Sequence, residues 1–537
     1  LHKRRDRYTV RDQPMTEKSY SGNLFFLLLA CILILGAFIF IKTTPSGIGL
    51  VSDSVNYING ARSIAEGKGY YRESGGGTIK PITNFPPLYS ILLSVPILFG
   101  AGGIQAAWAF SLIFYLLNIT MIAILVRAVT KNGWLGLAGS LLFCASKPFL
   151  YFQVFAMSEP LFFFCTLMAF YLLWLGFQTD SWVRWLLCGV FCGAAFLTRY
   201  VGVVSLAVTV GILLFLPPAR VRRMKAIGWV LFGSVPLMMS WLIRNLIVSG
   251  NVTNREAYFH PLSGEEIHTG IMIFWRWIYP ERYQNVTTPV SWMRLGIILI
   301  GIAGVLFLAG TFLLSVRKKD ISNEVRMIWA FVLYLFVYLA VIFITITFLD
   351  WSVNIEERIL FPCLMVMLLT LLTLIGMFLR KKKIFPIIGL LAVYGFLLIT
   401  SSQDLIQFIP RFGEVGYGWA WQGWEDSPAM NLIKEMPADT VIYSNQPEAV
   451  SLIAGRGAYA LLDPIDPSTG LKRPGYDETM ATIRNQVIQG EAVLVFFGIN
   501  SWVEKDQENW ITRLCEGLPY IYQDQSEWVV GKKEILK

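Results

Sequence analysis

Apolar runs of about twenty residues recur along this chain, and no other feature constrains its fold as strongly. A hydrocarbon core of about 30 Å takes roughly 20 helical residues to cross. Inside lipid, every backbone polar group must be bonded within the protein. The runs fall at 23–42, 104–126, 133–150, 160–177, 184–198, 201–217, 226–245, 294–316, 327–348, 359–379 and 384–401, which predicts eleven crossings. Two of them, 184–198 and 201–217, are short and read equally well as one broken hairpin. A further apolar stretch, 88–100, follows Pro86-Pro87 and is too short to span, so it is expected at the interface. Composition agrees: 55% of the 537 residues are hydrophobic and only 15% are charged, whereas soluble domains hold at most about half apolar residues. The expected fold class is a mainly α polytopic membrane protein.

Orientation follows from the basic residues, which favour the cytoplasmic side. With eleven crossings, every basic cluster falls on one side. These are Lys3, Arg4, Arg5, Arg7, Arg11 and Lys18; Arg127 and Lys131; Arg220, Arg222, Arg223 and Lys225; Arg317, Lys318 and Lys319; and Arg380 to Lys383. The expected plan is a cytoplasmic segment 1–22, a transmembrane domain 23–401 with outer loops 43–103 and 246–293, and an extracytoplasmic domain 402–537. Leu1 is consistent with an alternative start codon, with Met15 as a second candidate start. No small-residue cleavage site follows the first apolar run, so it reads as a retained anchor.

The tail differs from the rest in charge. From Arg411 onward there are 11 Lys/Arg against 18 Asp/Glu, about −7, whereas the remainder holds 34 against 18, about +16. A basic membrane part suits anionic lipid, and no basic stripe with interleaved aromatics points to nucleic acid. Within the tail, β-rich runs (Thr440 to Ser444, Glu491 to Gly498, Glu527 to Val530) alternate with helical patterns (427–436, 476–489), which predicts a small α/β domain. Of the seven cysteines only Cys515 lies there, so an internal disulfide is excluded. Cys188 and Cys192, one helical turn apart in an apolar run, read as packing residues.

Ionisable residues at the bilayer are expensive and mark candidate sites. Asp53 follows the first span in Val51-Ser52-Asp53-Ser54-Val55-Asn56-Tyr57. Glu159 stands in Met157-Ser158-Glu159-Pro160, where a Ser cap, a first-turn Pro and a dipole-matched acid would also explain it. Arg199 lies between two short runs in Leu197-Thr198-Arg199-Tyr200, as an anchor or an anion holder. Arg244 closes a span, where a cation is welcome. Arg358 opens one, where the helix dipole opposes a cation, so it needs a carboxylate or a phosphate partner. On the expected topology all five reach the outer surface. Acids there can activate a hydroxyl or hold a metal, and arginines can hold a phosphate.

Several segments in order resemble the integral-membrane glycosyltransferases of the GT-C fold that use polyprenyl-phosphate sugars, of the protein mannosyltransferase and lipid A aminoarabinose transferase kind. They are Asp53 with Tyr57 and Ala61 to Gly69; Asn84-Phe85-Pro86-Pro87-Leu88-Tyr89; Ser158-Glu159-Pro160-Leu161; Gly193 to Leu197 with Thr198-Arg199; Trp241 to Asn245 with Gly250-Asn251; and Arg358-Ile359-Leu360-Phe361-Pro362. The resemblance spans roughly 20–400. It implies a hexosyl- or pentosyltransferase of the cell envelope, with Asp53 as general base and Glu159 supporting the same site. It further implies Arg199, with Arg358 or Arg244, on the donor phosphate. Tyr57 and Tyr89 lie in matched segments and are candidate substrate contacts; the outer-loop His260, outside any matched segment, is a third. Trp419 to Asp426 is Trp-rich but lacks the oligosaccharyltransferase Trp-Trp-Asp-Tyr-Gly, which argues against en bloc transfer to asparagine. No cofactor is assigned, and a divalent cation on the paired acids stays open. The implied partners are a polyprenyl-phosphate sugar donor, a lipid, glycan or protein acceptor, and membrane lipid. A transporter or flippase of lipid-linked sugars and a non-catalytic scaffold for envelope assembly are the competing readings.

Overall fold

A computed structural model describes residues 16–73, 79–218, 221–253, 259, 261–278, 315, 321–348, 355–414, 416–424, 426–465, 471–499 and 510–536. Its first half runs α1 (Thr16–Thr43), α2 (Ser52–Ala65), a hairpin of β1 (Tyr71–Glu73) and β2 (Ile79–Pro81), α3 (Leu88–Leu98), α4 (Gly103–Thr130), α5 (Gly133–Cys144), α6 (Lys147–Tyr151), α7 (Glu159–Thr179), α8 (Trp182–Thr198), α9 (Val203–Phe215) and α10 (Arg223–Ser249). Next come α11 (Gly264–Ile278), α12 (Asn323–Phe348), α13 (Glu357–Arg380) and α14 (Ile384–Gly413). Among the described residues seven helices are long and apolar enough to cross a membrane: residues 22–43 of α1, and α4, α7, α10, α12, α13 and α14. The chain is a multi-pass membrane protein.

Every expected run outside 294–316 is helical, and 294–316 lies outside the described residues. The run 133–150 divides into α5 and α6 around Ala145-Ser146. The run 201–217 begins as a 3₁₀ turn at Tyr200–Gly202 before α9. The stretch 88–100 does not lie wholly at a surface. As α3 it buries Tyr89, Ser90, Leu93 and Ser94, while Ile91, Val95 and Leu98 stay exposed.

Burial is unequal along the bundle, and this positions the site. The apolar window of α7 is 78% buried, against 11% for α14. An enclosed helix must be apolar all round, and α7 is. A carboxylate at its first residue therefore starts inside protein. Helix α8 packs closely on α10 and α7. A Cβ at Gly189 would lie 2.1 Å from the Val230 carbonyl, and one at Gly233 would lie 2.4 Å from the Leu186 carbonyl. Small residues facing each other allow this backbone approach, which fixes the end of α8 that leads into Arg199.

Three strand-like segments meet beneath the site. Gly49 N–H donates to Val154 O at 2.9 Å and Ala156 N–H to Gly49 O at 3.0 Å. On the other edge, Leu50 N–H donates to Tyr417 O at 3.2 Å and Trp419 N–H to Leu50 O at 2.9 Å. This junction fixes the chain just before α2, the chain leading into α7, and the connection after α14. It requires Gly418, whose φ is +62° and whose added Cβ would stand 1.9 Å from the Leu50 carbonyl oxygen.

The tail holds α15 (Pro428–Glu435), β3 (Val441–Ser444), β4 (Tyr459–Ala460), α16 (Tyr476–Gln489), β5 (Ala492–Phe497), α17 (Trp510–Cys515), β6 (Tyr520–Gln523) and β7 (Glu527–Val530). The strands form one sheet in the order β4-β3-β5-β7-β6, with β3 parallel to β4 and β5 and the other pairs antiparallel. Strand β5 is buried throughout. Ala492, Leu494 and Phe496 face one apolar cluster, and Val493, Val495 and Phe497 face the other. A strand covered on both faces reads as a continuous apolar run. The β-rich runs named above are β3, β5 and β7, and the two helical patterns are α15 and α16. The short β4 and β6 carried no comparable pattern.

Candidate functional site

Helix α2 opens without a cap from the Val51 side chain; instead Val51 N–H donates to Ser54 Oγ at 3.1 Å, which fixes the first turn and with it Asp53. Helix α7 opens at Glu159, only 2% exposed, with Pro160 in its first turn. Ser158 does not cap α7, contrary to expectation. Its Oγ lies 3.0 Å from the Tyr57 hydroxyl, so it joins α7 to α2 instead.

Arg358 has the two carboxylate partners that its position at the start of α13 demands. Its Nη2 donates to Asp53 Oδ2 at 2.5 Å and its Nε to Glu159 Oε1. Arg199 Nη1 pairs with the same Glu159 oxygen. One cluster thus gathers α2, α7, the end of α8 and the start of α13, with two carboxylates against two guanidinium groups. The arginine side chains keep 21% and 26% of their surface exposed, while Glu159 keeps 3%. Glu159 is the interior counter-charge, and the cations reach outward from it.

The structure brings Asp53, Glu159, Arg199 and Arg358 together, with Tyr57 beside them. Burial first, then the Asp53 carboxylate, holds the Tyr57 phenol well above the usual tyrosine range, so it stays protonated. Tyr89 is 1% exposed and meets the Tyr57 ring edge to face at 5.1 Å. It stands behind Tyr57 as packing.

Arg244 is committed elsewhere. Its Nη1 donates to Ile82 O at 2.6 Å and to Asn245 Oδ1 at 3.0 Å, and its Nη2 donates to Tyr70 O at 3.0 Å. Its guanidinium also lies 5.2 Å from the Trp241 ring centre. It fastens the chain around the hairpin onto α10, which is what a planar fork of donors does well. His260 lies outside the described residues.

Asp53 and Arg358 open onto a cavity of about 360 Å³. Its lining includes the polar Ser52, Glu356 and Glu357 and the apolar or aromatic Tyr151, Phe152, Phe155, Met157 and Tyr417. Tyr151 and Tyr417 meet through their hydroxyls at 3.3 Å, and Trp277 of α11 donates to Glu357 Oε1 at 3.0 Å. A lining that mixes polar and aromatic side chains suits a ring that carries both hydroxyls and apolar C–H groups. Sequence reading missed Tyr151 and Tyr417; Tyr417 lies in a Gly/Trp-rich stretch, and Tyr151 is one aromatic residue in an apolar run. Among the described residues no group of three or more His, Cys, Asp or Glu gathers in a form that holds a metal.

The helical bundle has the GT-C fold, on its likeness to solved structures. The archaeal oligosaccharyltransferase AglB of Archaeoglobus fulgidus, solved with an inhibitory peptide and a dolichol-phosphate, aligns over 94% of this chain and 74% of its own, with 10% identity and a TM-score of 0.53. ArnT of Cupriavidus metallidurans in the apo state aligns over 95% and 98%, with 14% identity and a TM-score of 0.47. Residues 84–244 match the family described as dolichyl-phosphate-mannose-protein mannosyltransferase. No curated protein matches the chain in sequence.

Proposed function

We propose that the chain transfers a sugar from a polyprenyl-phosphate donor to an acceptor hydroxyl on the outer face of the membrane, with inversion at the anomeric carbon. The observation that carries this is the bridge made by Arg358. It joins Asp53, 305 residues away in sequence, to Glu159, 199 residues away, at the edge of one amphipathic cavity. The fold and the family match over 84–244 support the donor class, and AglB was solved with a dolichol-phosphate.

Asp53 takes the proton of the acceptor hydroxyl as its oxygen attacks the anomeric carbon. The bond from that carbon to the phosphate oxygen breaks, and its electron pair leaves with the polyprenyl phosphate. Arg199 and Arg358 stabilise the charge that develops there. Glu159 is a positioning residue that holds both guanidinium groups. Arg244 is left out of this reading, because its donors serve loop carbonyls. Tyr57 orients α2 against α7 through Ser158. Nucleotide sugars do not cross a bilayer, so an outward-facing site needs a lipid-carried donor. The basic clusters that predict a cytoplasmic N-terminus support this orientation, and with it an extracytoplasmic tail.

The test is donor consumption by membranes given a radiolabelled polyprenyl-phosphate sugar. Wild type consumes it, and Asp53→Ala is inactive while reaching the membrane in normal amount. A fully active Asp53→Ala variant defeats the mechanism. A wild type that moves the donor across the bilayer without consuming it favours the transporter reading.

A further inference from the structure

The Trp-rich stretch after α14 borders the site through Tyr417, which lines the cavity. Residues 416–424 form a compact turn: Ala420 N–H donates to Tyr417 O at 3.3 Å, Trp421 N–H to Gly418 O at 3.1 Å and Trp424 N–H to Trp421 O at 3.1 Å. Two of its aromatic residues are used in packing. Trp419 lies against both the membrane core and the tail core. Trp424 meets the Phe497 ring at 5.0 Å and donates through Nε1 to Gly418 O at 3.1 Å. Tyr417 and Trp421 remain 43% and 49% exposed, yet both are held. Phe412 stacks within 6° of parallel to the Tyr417 ring, while Phe155 and Tyr151 stand almost perpendicular to it. The Trp421 ring lies against Gly423, where an added Cβ would meet it at 2.3 Å. Half-open rings with a fixed plane offer contact area at little entropic cost.

We propose that Tyr417 and Trp421 form a stacking platform for a neutral oligosaccharide, which is the acceptor. The word acceptor rests on the transferase reading; the carbohydrate does not. A pyranose carries C–H groups on its faces and hydroxyls around its edge. The C–H face packs on an aromatic ring, and the hydroxyls donate to carboxylates. Tyr417 lines the same cavity as Asp53, Glu356 and Glu357. Charge argues against an anionic acceptor: those three carboxylates share the lining with one guanidinium, and Arg358 already answers Asp53 and Glu159. Backbone pairing argues against a peptide added as a further strand at this junction. Gly49 and Leu50 spend their N–H and C=O groups on Val154, Ala156, Tyr417 and Trp419. Trp421 is not among the described lining residues, so its ring serves only a unit outside the cavity. A chain of sugars meets both demands, with its terminal unit on Tyr417 and a later unit on Trp421.

Purified full-length protein, in a detergent without a sugar head group, is dialysed to equilibrium against tritiated maltohexaose and, separately, tritiated chitohexaose. The disaccharide of each series, an uncharged threonine-rich decapeptide and glucose 6-phosphate are run alongside. The expected result is that wild type binds at least one hexasaccharide and neither the peptide nor the phosphate. Tyr417→Leu weakens that binding about three- to tenfold, and Tyr417→Phe, which keeps the ring, retains it. Trp421→Ala weakens the hexasaccharide by a similar factor and leaves the disaccharide of the same series within about twofold. That contrast decides the matter if Tyr417→Leu does not fold, because Trp421 lies in the exposed turn. Four results overturn the proposal: wild type that binds neither hexasaccharide, variants with unchanged affinity, binding of the peptide or glucose 6-phosphate in place of the sugars, and a Trp421→Ala protein that reaches the membrane poorly but binds normally, which marks an interface anchor. Binding is read without donor, so the two readings fail separately: sugar bound at the platform with no donor consumed removes the word acceptor and keeps the platform.

Discussion

Glu159→Gln is the sharpest perturbation of the acid–arginine cluster. The substitution keeps size and shape but removes the one interior charge that faces both Arg199 and Arg358. Removing one partner of a buried ion pair costs about 3–5 kcal/mol, because the other charge is left uncompensated. Here the remaining cations keep 21% and 26% of their side-chain surface exposed, and the glutamine carbonyl can still accept one of their bonds. The lower end, about 3 kcal/mol, is therefore expected. The partner variant is Arg199→Gln, combined with Glu159→Gln to restore balance. Arg358 then still pairs with Asp53 at 2.5 Å, so the double variant should recover about 1 kcal/mol or more relative to Glu159→Gln alone. Contacting residues are non-additive on this scale. The assay is equilibrium unfolding in mixed micelles, read as a double-mutant cycle. A Glu159→Gln protein within about 0.5 kcal/mol of wild type, or an Arg199→Gln change that adds its own full penalty, refutes the charge-compensation argument.

Arg358→Lys keeps the charge but cannot hold Asp53 and Glu159 at once through separate nitrogens; transfer should fall about 10–100-fold with membrane levels unchanged, and wild-type rates would count against the bridge. Arg244→Met should loosen the chain around Tyr70 and Ile82, lowering the unfolding midpoint while leaving the apparent affinity for donor within about twofold; a large affinity loss with normal stability would return Arg244 to the phosphate. Gly418→Ala places a side chain at φ +62° against the Leu50 carbonyl, which should cost about 1–2 kcal/mol or more and also reduce transfer, since Leu50 lies three residues before Asp53.

The helices were legible because the signal is local: a span declares itself within its own twenty residues. The same holds for β5, whose six residues are apolar on both faces. The members of the charged cluster were legible one at a time, because each breaks a local rule. Arg358 is the clearest case: a cation at a helix start opposes the dipole, and that conflict alone demanded an acid or a phosphate. Which acid answers could not be read, since Glu159 and Asp53 lie 199 and 305 residues away. Arg244 shows the opposite failure. A cation near an outer helix end reads the same whether it binds a ligand or two loop carbonyls. Tyr417 was hidden for a further reason. It is placed at the cavity by long-range backbone pairing with Leu50, through its own carbonyl and Trp419 N–H, and such pairing leaves almost no mark in composition.

Charge balance bears on how the cluster works. Two guanidinium groups meet two carboxylates there. On the proposed mechanism, a phosphate arriving at the cluster competes with Glu159 and Asp53 for the same donors, and its attraction is the difference between two similar interactions. Such an arrangement would favour catalysis over tight binding, because the arginines strengthen their hold as charge builds on the leaving oxygen and return to the acids afterwards. Arg358→Lys should then lower kcat far more than it raises KM, and kinetics in which KM carries most of the loss would refute this account.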